Sequence, residues 1–152
     1  MIRTALEQAF DTAVRSIKRH FALVPVDRLD FAPHPKTMPM ERLVRHLQST
    51  EYPPVRGILL GDWERPEQHI SVASHGAMIA ALEANHAEAM RVLRVIGGDA
   101  KLDESVTLPW GPTTTRLGGL LFVLDHLHHH RTQLFLYLKL LGVDVDTQTI
   151  WG

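Results

Sequence analysis

The sequence has no cysteine. Disulfides and thiolate metal sites are thereby excluded, and any thiol chemistry needs a thiol supplied from outside. An excess of charge is also missing: 16 basic residues face 17 acidic ones, for a formal charge of −1. Like charges form no block, whereas a nucleic-acid-binding surface usually shows a basic stripe, so no nucleic-acid partner is expected. Long apolar runs are absent as well. No segment is long and apolar enough to span a membrane. Between Met1 and Arg19, the charged residues Arg3, Glu7, Asp11, Arg15 and Lys18 recur at helical spacing, where a secretory signal would be apolar. No membrane partner is expected, and the cytoplasm is the expected location.

What is present begins as ordinary. A chain of 152 residues, 45% apolar and 22% charged, is the size of one domain and can bury a real core, so residues 1–152 read as a single unit. Histidine is the exception. There are ten, four of them between positions 126 and 130, and imidazole is the commonest protein metal ligand.

Hydrophobic periodicity predicts four long helices and few strands. The first runs from Ile2 to about His20, on Leu6, Phe10, Ala13, Ile17 and Phe21. Pro25, Pro33 and Pro35 then make a connection hostile to helix. Thr37 reads as the N-cap of a second helix with Pro39 in its first turn, placing Leu43, His46, Leu47 and Thr50 on one face. Pro53-Pro54 should kink or interrupt it before Ile58-Leu59-Leu60, and Gly61 to Ser71 reads as loop. A third helix is expected from Ser74 to Ile96, on Met78, Ala81, Leu82, Asn85, Ala89 and Leu93, stopped by Gly97-Gly98. Pro109-Trp110-Gly111-Pro112 is a turn signal, and Val106 to Leu108 reads as a short strand. The fourth helix should run from Thr115 to Leu141 and stop at Gly142. Leu120, Leu124 and Leu138 lie on one side of it, and Phe122, Leu136 and Leu140 on another. A helix apolar all round needs burial all round, which predicts a homodimer with this helix at the interface.

Residues four apart on a helix sit about 40° apart and about 6 Å along the axis. His126 and His130 therefore point the same way, as two ligands of one metal must, while His128 and His129 point elsewhere. Gly119, Gln133 and Tyr137 fall near the same stripe. A third ligand must come from another element, and His46 is the candidate, mid-helix between Leu43 and Leu47 on the inward face. Spacing alone leaves a second reading open for each: a satisfied interior histidine rather than a ligand. The remaining His20, His34, His69, His75 and His86 read as surface or loop residues.

Three neutral imidazoles on a divalent ion leave one coordination position open, as catalytic sites do. An ion so held can acidify a water or deprotonate a thiol, so hydrolase and thiol transferase are the same site with different occupants. Leu127 follows His126 where a metalloprotease would place glutamate, and Asp125 points about 100° away, a poor general base. Gln133 and Tyr137 are candidates for supporting the ligands or touching a small-molecule substrate. A non-catalytic metal-binding stress or interaction dimer is the alternative reading.

The stretch Asp125-His126-Leu127-His128-His129-His130-Arg131-Thr132-Gln133-Leu134-Phe135-Leu136-Tyr137-Leu138-Lys139-Leu140-Leu141-Gly142 resembles the C-terminal signature of the DinB/YfiT-like superfamily, a pattern like H-x-x-H-H-R-G-Q-L-x-x-Y-L-R-x-L-G. The tail Ile150-Trp151-Gly152 is similar to its aromatic-Gly ending, and Thr37 to Leu47 to its second-helix entry. Thr132 stands where that family has glycine and Lys139 where it often has arginine; neither is a proposed ligand. The resemblance implies an all-α, up-down-down-up four-helix bundle, usually homodimeric, with a three-histidine site for zinc, nickel or a similar ion. It also implies enzymes that use a low-molecular-weight thiol (mycothiol, bacillithiol or glutathione), or metal-dependent hydrolases.

Overall fold

The structure, a computed structural model, describes residues 1–152. Its first helix, α1, spans Ile2–Phe21, and the five residues of the expected stripe are buried. The N–H groups that open α1 are taken by Asp99, whose carboxylate accepts from Ile2 N at 2.9 Å and Arg3 N at 3.1 Å. That cap comes from 97 residues further along the chain, and no local pattern announces it.

The second helix begins later than expected and is two pieces. Thr37 is not the cap; its hydroxyl donates to the His34 carbonyl at 2.7 Å in a preceding turn, and Pro39 occupies the N-cap position of α2, Met40–Ser49. After Thr50 and Glu51 the chain restarts as α3, Tyr52–Leu60, with the two prolines in its first turn. There a missing N–H costs no helical bond, whereas within a continuous helix the rings would clash with the carbonyls of Ser49 and Thr50. The prolines thus set the break just ahead of themselves. Gly61, at φ +71°, ends α3 in the left-handed conformation.

Helix α4 covers His75–Val95, capped by Ser74 accepting from Ala77 N at 3.1 Å. A 3-10 turn over Asp99–Asp103 leads to a small hairpin, β1 (Ser105–Thr107) and β2 (Thr113–Thr115), antiparallel with Val106 opposite Thr114. The expected strand is there, shifted by one residue and joined by a partner around the Pro109–Pro112 turn. Helix α5 follows directly as Arg116–Leu140, capped by Thr115 and stopped at Gly142, φ +78°. A short α6, Thr147–Trp151, closes the chain over α1.

Helix α1 packs on α4 and α5, and the α2–α3 pair packs on the same two helices. The result is an all-α four-helix bundle in which α2 and α3 together form one limb. Phe10, Ile17 and Phe21 of α1 meet Leu43 and Leu47 of α2, Met78 and Leu82 of α4, and Leu120 and Leu138 of α5 in one continuous core. Burying each contributes about 1.5–3 kcal/mol before the entropy of ordering it. No helix is long and apolar enough to cross a membrane. A further expectation fails: His20 is fully buried inside the bundle, its Nδ1 donating to the Ser16 carbonyl at 2.7 Å and its ring edge-on to Phe135.

Candidate metal centre

His46 projects from the middle of α2, and His126 and His130 from successive turns of α5. The three converge: their ligand nitrogens all lie within 4.8 Å of one another. The ring centroids are 5.1 Å apart for His46 and His126, 4.4 Å for His46 and His130, and 4.6 Å for His126 and His130. His128 and His129 stay outside, although the His129 ring stands edge-on to His130 at 4.9 Å.

Hydrogen bonding fixes how each ring can act. Tyr137 Oη lies 2.8 Å from the Met38 carbonyl, which can only accept, so the hydroxyl must donate there. Its lone pair then accepts from Gln133 Nε2 at 3.0 Å. The Gln133 Oε1 is left facing His130 Nδ1 at 3.0 Å, so that nitrogen carries the hydrogen. Nε2 of His130 therefore bears a free lone pair turned to the centre of the trio. Support of this kind orients metal-ligating histidines generally. The other two rings face each other through their Nε2 atoms at 2.9 Å, so one holds a hydrogen there. A divalent ion would fit if it took that hydrogen's place and the ring carried its proton on Nδ1 instead. Two nitrogens on one tetrahedral ion stand about 3.3 Å apart, so this pair needs to open by only a few tenths of an ångström.

All three rings are held neutral. Burial, then the neighbouring His130 and His126 and the Arg42 charge, pull His46 down to about 4. Burial, then His130 and His129, lower His126, against a small opposing pull from Asp125. Burial also lowers His130, opposed by the bond to Gln133. A histidine depressed in the native state takes its proton first in the unfolded chain, so its contribution to stability is lost as pH falls. Metal-free protein is therefore expected to keep constant stability from this trio above about pH 6.5 and to lose it progressively toward pH 4, in urea titrations at stepped pH. His46→Gln should flatten that slope.

Beside the trio opens a cleft of about 520 Å³, with His46 and His126 in its wall and Trp63, Trp110 and Phe122 among its lining. No aspartate or glutamate lines it.

A second polar cluster was not legible in the sequence. His86, on α4, lies between two carboxylates: Nδ1 is 2.9 Å from Glu51 Oε1 and Nε2 is 2.8 Å from Asp11 Oδ1. Glu51 sits in the break between α2 and α3 at 1% exposure, and its other oxygen has no partner. Burial pushes the Glu51 carboxyl up, while the two carboxylates raise His86 in spite of its own burial. Each of these residues is unremarkable alone, and only the tertiary fold brings positions 11, 51 and 86 together.

Comparison with known proteins follows the same line. A family model described as the DinB superfamily matches residues 9–134. A DinB-like protein from Bacillus subtilis superposes with a TM-score of 0.70 at 18% identity, covering 92% of this chain and 93% of that one. A candidate DinB-family member from Exiguobacterium sibiricum gives 0.72 at 22% identity, over 97% and 96% of the two chains. A DinB-like protein from Bacillus cereus gives 0.74 at 15% identity, over 93% of each. At those identities the solved structures show a shared fold. No curated protein matches the sequence. The family match spans most of the chain, including all three clustered histidines, and the chain belongs to the DinB superfamily.

Proposed function

We propose that the protein is a metal-dependent enzyme acting on a small molecule, a hydrolase or a thiol-dependent S-transferase, with His46, His126 and His130 as the ligands of a zinc or nickel ion. The observation that carries this reading is the convergence of three neutral imidazoles at the edge of an open cleft. Bound there with a coordination position free, a divalent ion supplies Lewis acidity, enough to acidify a water or a thiol near neutral pH. The chain's own residues do the rest. Gln133 and Tyr137 hold the His130 ring with its lone pair inward. His46 and His126 border the cleft, so an ion held by them would lie beside the space a substrate would enter. No carboxylate lines that space to serve as general base, so activation of a water or thiol would fall to an ion held by His46, His126 and His130.

The test is turnover by zinc- or nickel-loaded protein against two panels: activated esters and amides, and electrophiles paired with glutathione, mycothiol or bacillithiol. Metal-dependent product in one panel assigns the class. No turnover in either, with metal bound, favours a metal-binding interaction protein.

We propose that the protein is a homodimer, because α5 leaves Leu136 at 53% and Leu140 at 65% exposure along one face. Phe122, expected on that patch, is 46% exposed and also stacks against Trp110 in the cleft wall. Leu136→Glu combined with Leu140→Glu is expected to convert a sedimenting dimer to monomer with zinc affinity unchanged. A wild-type monomer at micromolar concentration overturns the proposal.

A further inference from the structure

The cleft beside the histidine trio has one wall of aromatic rings. Trp63 and Trp110 meet edge to face at 5.5 Å and 88°, Trp110 lies over Phe122 at 6.0 Å and 33°, and Phe122 lies over His126 at 6.3 Å and 41°. The wall therefore runs from the loop after α3, across the hairpin turn, to a member of the trio. Pro53, Pro54 and Pro109 also line the cleft, rigid and without N–H groups. Two polar groups stand out in it. Arg65 lines the cleft and makes no ion pair or hydrogen bond with any other residue, although Asp62 nearby is held by Arg56. Gln68 also lines it, with its Oε1 shielded from solvent and accepting no bond from the protein.

Trp63 is seated by a glycine. A Cβ at Gly57 would come within 2.2–2.5 Å of the indole carbons, so any other residue there displaces the ring. The neighbouring helix thus leaves room for an aromatic wall at that point. Trp110 is half exposed, and an aromatic face of that size beside a solvent-accessible cleft invites a flat apolar partner. The volume is that of an ordinary small-molecule site.

We propose that this cleft binds the planar aromatic ring of an anionic small molecule, the ring against Trp63, Trp110 and Phe122 and the acidic group on Arg65. The trio would then act on a substituent of that ring directed toward His126. Calling the ligand a substrate rests on the reading of the trio given above; its binding does not. The charge argument is specific. The lining contains one unpaired cation and no carboxylate, so it favours an anion over a neutral ring, and the aromatic wall favours a flat ring over a saturated one.

The probe is 2-naphthoate, titrated by ligand-observed NMR into full-length protein stripped of metal with a chelator, beside 2-naphthamide and cyclohexanecarboxylate. Naphthoate is expected to bind saturably with a Kd of about 1 mM or tighter, the range set by its size. It should bind about fivefold tighter than the amide, the upper range for one exposed charge pair. Over the saturated acid the preference should be about tenfold. Arg65→Gln should erase the preference for the anion and keep that for the ring. Trp110→Ala and Gly57→Ala should weaken naphthoate about tenfold while zinc affinity, measured separately, stays within twofold. Equal binding of the three probes, or no change in Arg65→Gln and Trp110→Ala, overturns the proposal. So does the absence of saturable binding with Trp110 covered in a dimer, which would assign the wall to a second copy of the chain. Naphthoate binding to a protein that takes up no zinc would leave this proposal standing and defeat the metal reading. Zinc uptake without naphthoate binding would do the reverse.

Discussion

Replacing His126 with alanine is expected to weaken zinc binding by about 10²–10³-fold. A zinc ion held by protein binds with roughly 10–16 kcal/mol in four-ligand sites, or about 2.5–4 kcal/mol per ligand. The same loss is expected for His46→Ala and His130→Ala, since the three nitrogens share one centre. Thermal denaturation reads it indirectly. At a zinc concentration a hundred times Kd, the wild-type protein gains about 2.7 kcal/mol, which at about 2–4 °C per kcal/mol for a chain of this size raises Tm by roughly 5–11 °C. A variant whose Kd is a hundredfold weaker gains only about 0.4 kcal/mol at the same concentration, a shift of about 1 °C. Gln133→Leu tests the support rather than the ligands. It frees the His130 ring without removing a nitrogen, and losses of about 10–100-fold accompany such changes. A wild-type Tm indifferent to both zinc and nickel would remove the basis for the site. Chelation alone should not unfold the protein, because the core is continuous without any ion.

His86→Leu is expected to be among the most damaging single changes outside the core, at about 2–4 kcal/mol. Breaking a buried ion pair by removing one member costs roughly 3–5 kcal/mol because the other charge is left uncompensated. Here the survivor is Glu51, buried at 1% exposure with one oxygen already unpartnered. Its carboxyl is already pushed up by burial, so it can take a proton, which recovers part of the loss and sets the lower figure. Asp11 matters less, since its side chain keeps 43% exposure. The double variant Glu51→Leu with His86→Leu is expected to regain most of the stability, because an apolar pair of similar volume carries no desolvation cost. Urea denaturation of the two variants decides it: a double variant no more stable than His86→Leu would mean that His86 acts by packing. The pH dependence differs from that of the trio. His86 is raised in the native state, so its contribution is complete below about pH 6.5 and is lost as pH climbs past the folded value.

The bundle was legible because its helices announce themselves twice, by apolar period and by end signals. Helices α4 and α5 start where the sequence places them, after Ser74 and Thr115, and α5 ends ahead of Gly142 at φ +78°, whereas α4 ends at Val95 because Ile96 is already extended ahead of Gly97-Gly98. The trio was legible for a different reason. His126 and His130 are fixed relative to each other by one turn of helix, so only His46 had to be found elsewhere, on an inward face. What failed to show depended on tertiary closeness. Thr37 has the chemistry of a cap, but Pro39 fixes the backbone where the helix begins and Thr37 is left to close a turn. His20 carries no mark that separates a buried imidazole from an exposed one. Phe122 does stay 46% exposed on the helical face it shares with Leu136 and Leu140, but nothing along the chain announces that Trp110 reaches its ring from a hairpin turn. The His86 cluster joins three elements, and no period along the chain links them.

His46 and His126 lie 80 residues apart, and an ion held by both would close the chain between them into a ring containing α3, α4 and the hairpin. Helices α1 and α6 lie outside that ring. The metal would then act as a removable clasp that discriminates between modes of breathing. Fraying of α1 from its start, or of α6 from its end, leaves the clasp shut and gains nothing from the ion. Any opening that parts α2 from α5 must break it. Amide protons of α2 and of the middle of α5 should accordingly exchange up to about a hundredfold more slowly at zinc concentrations a hundred times Kd, while those at the two ends of the chain keep their rates.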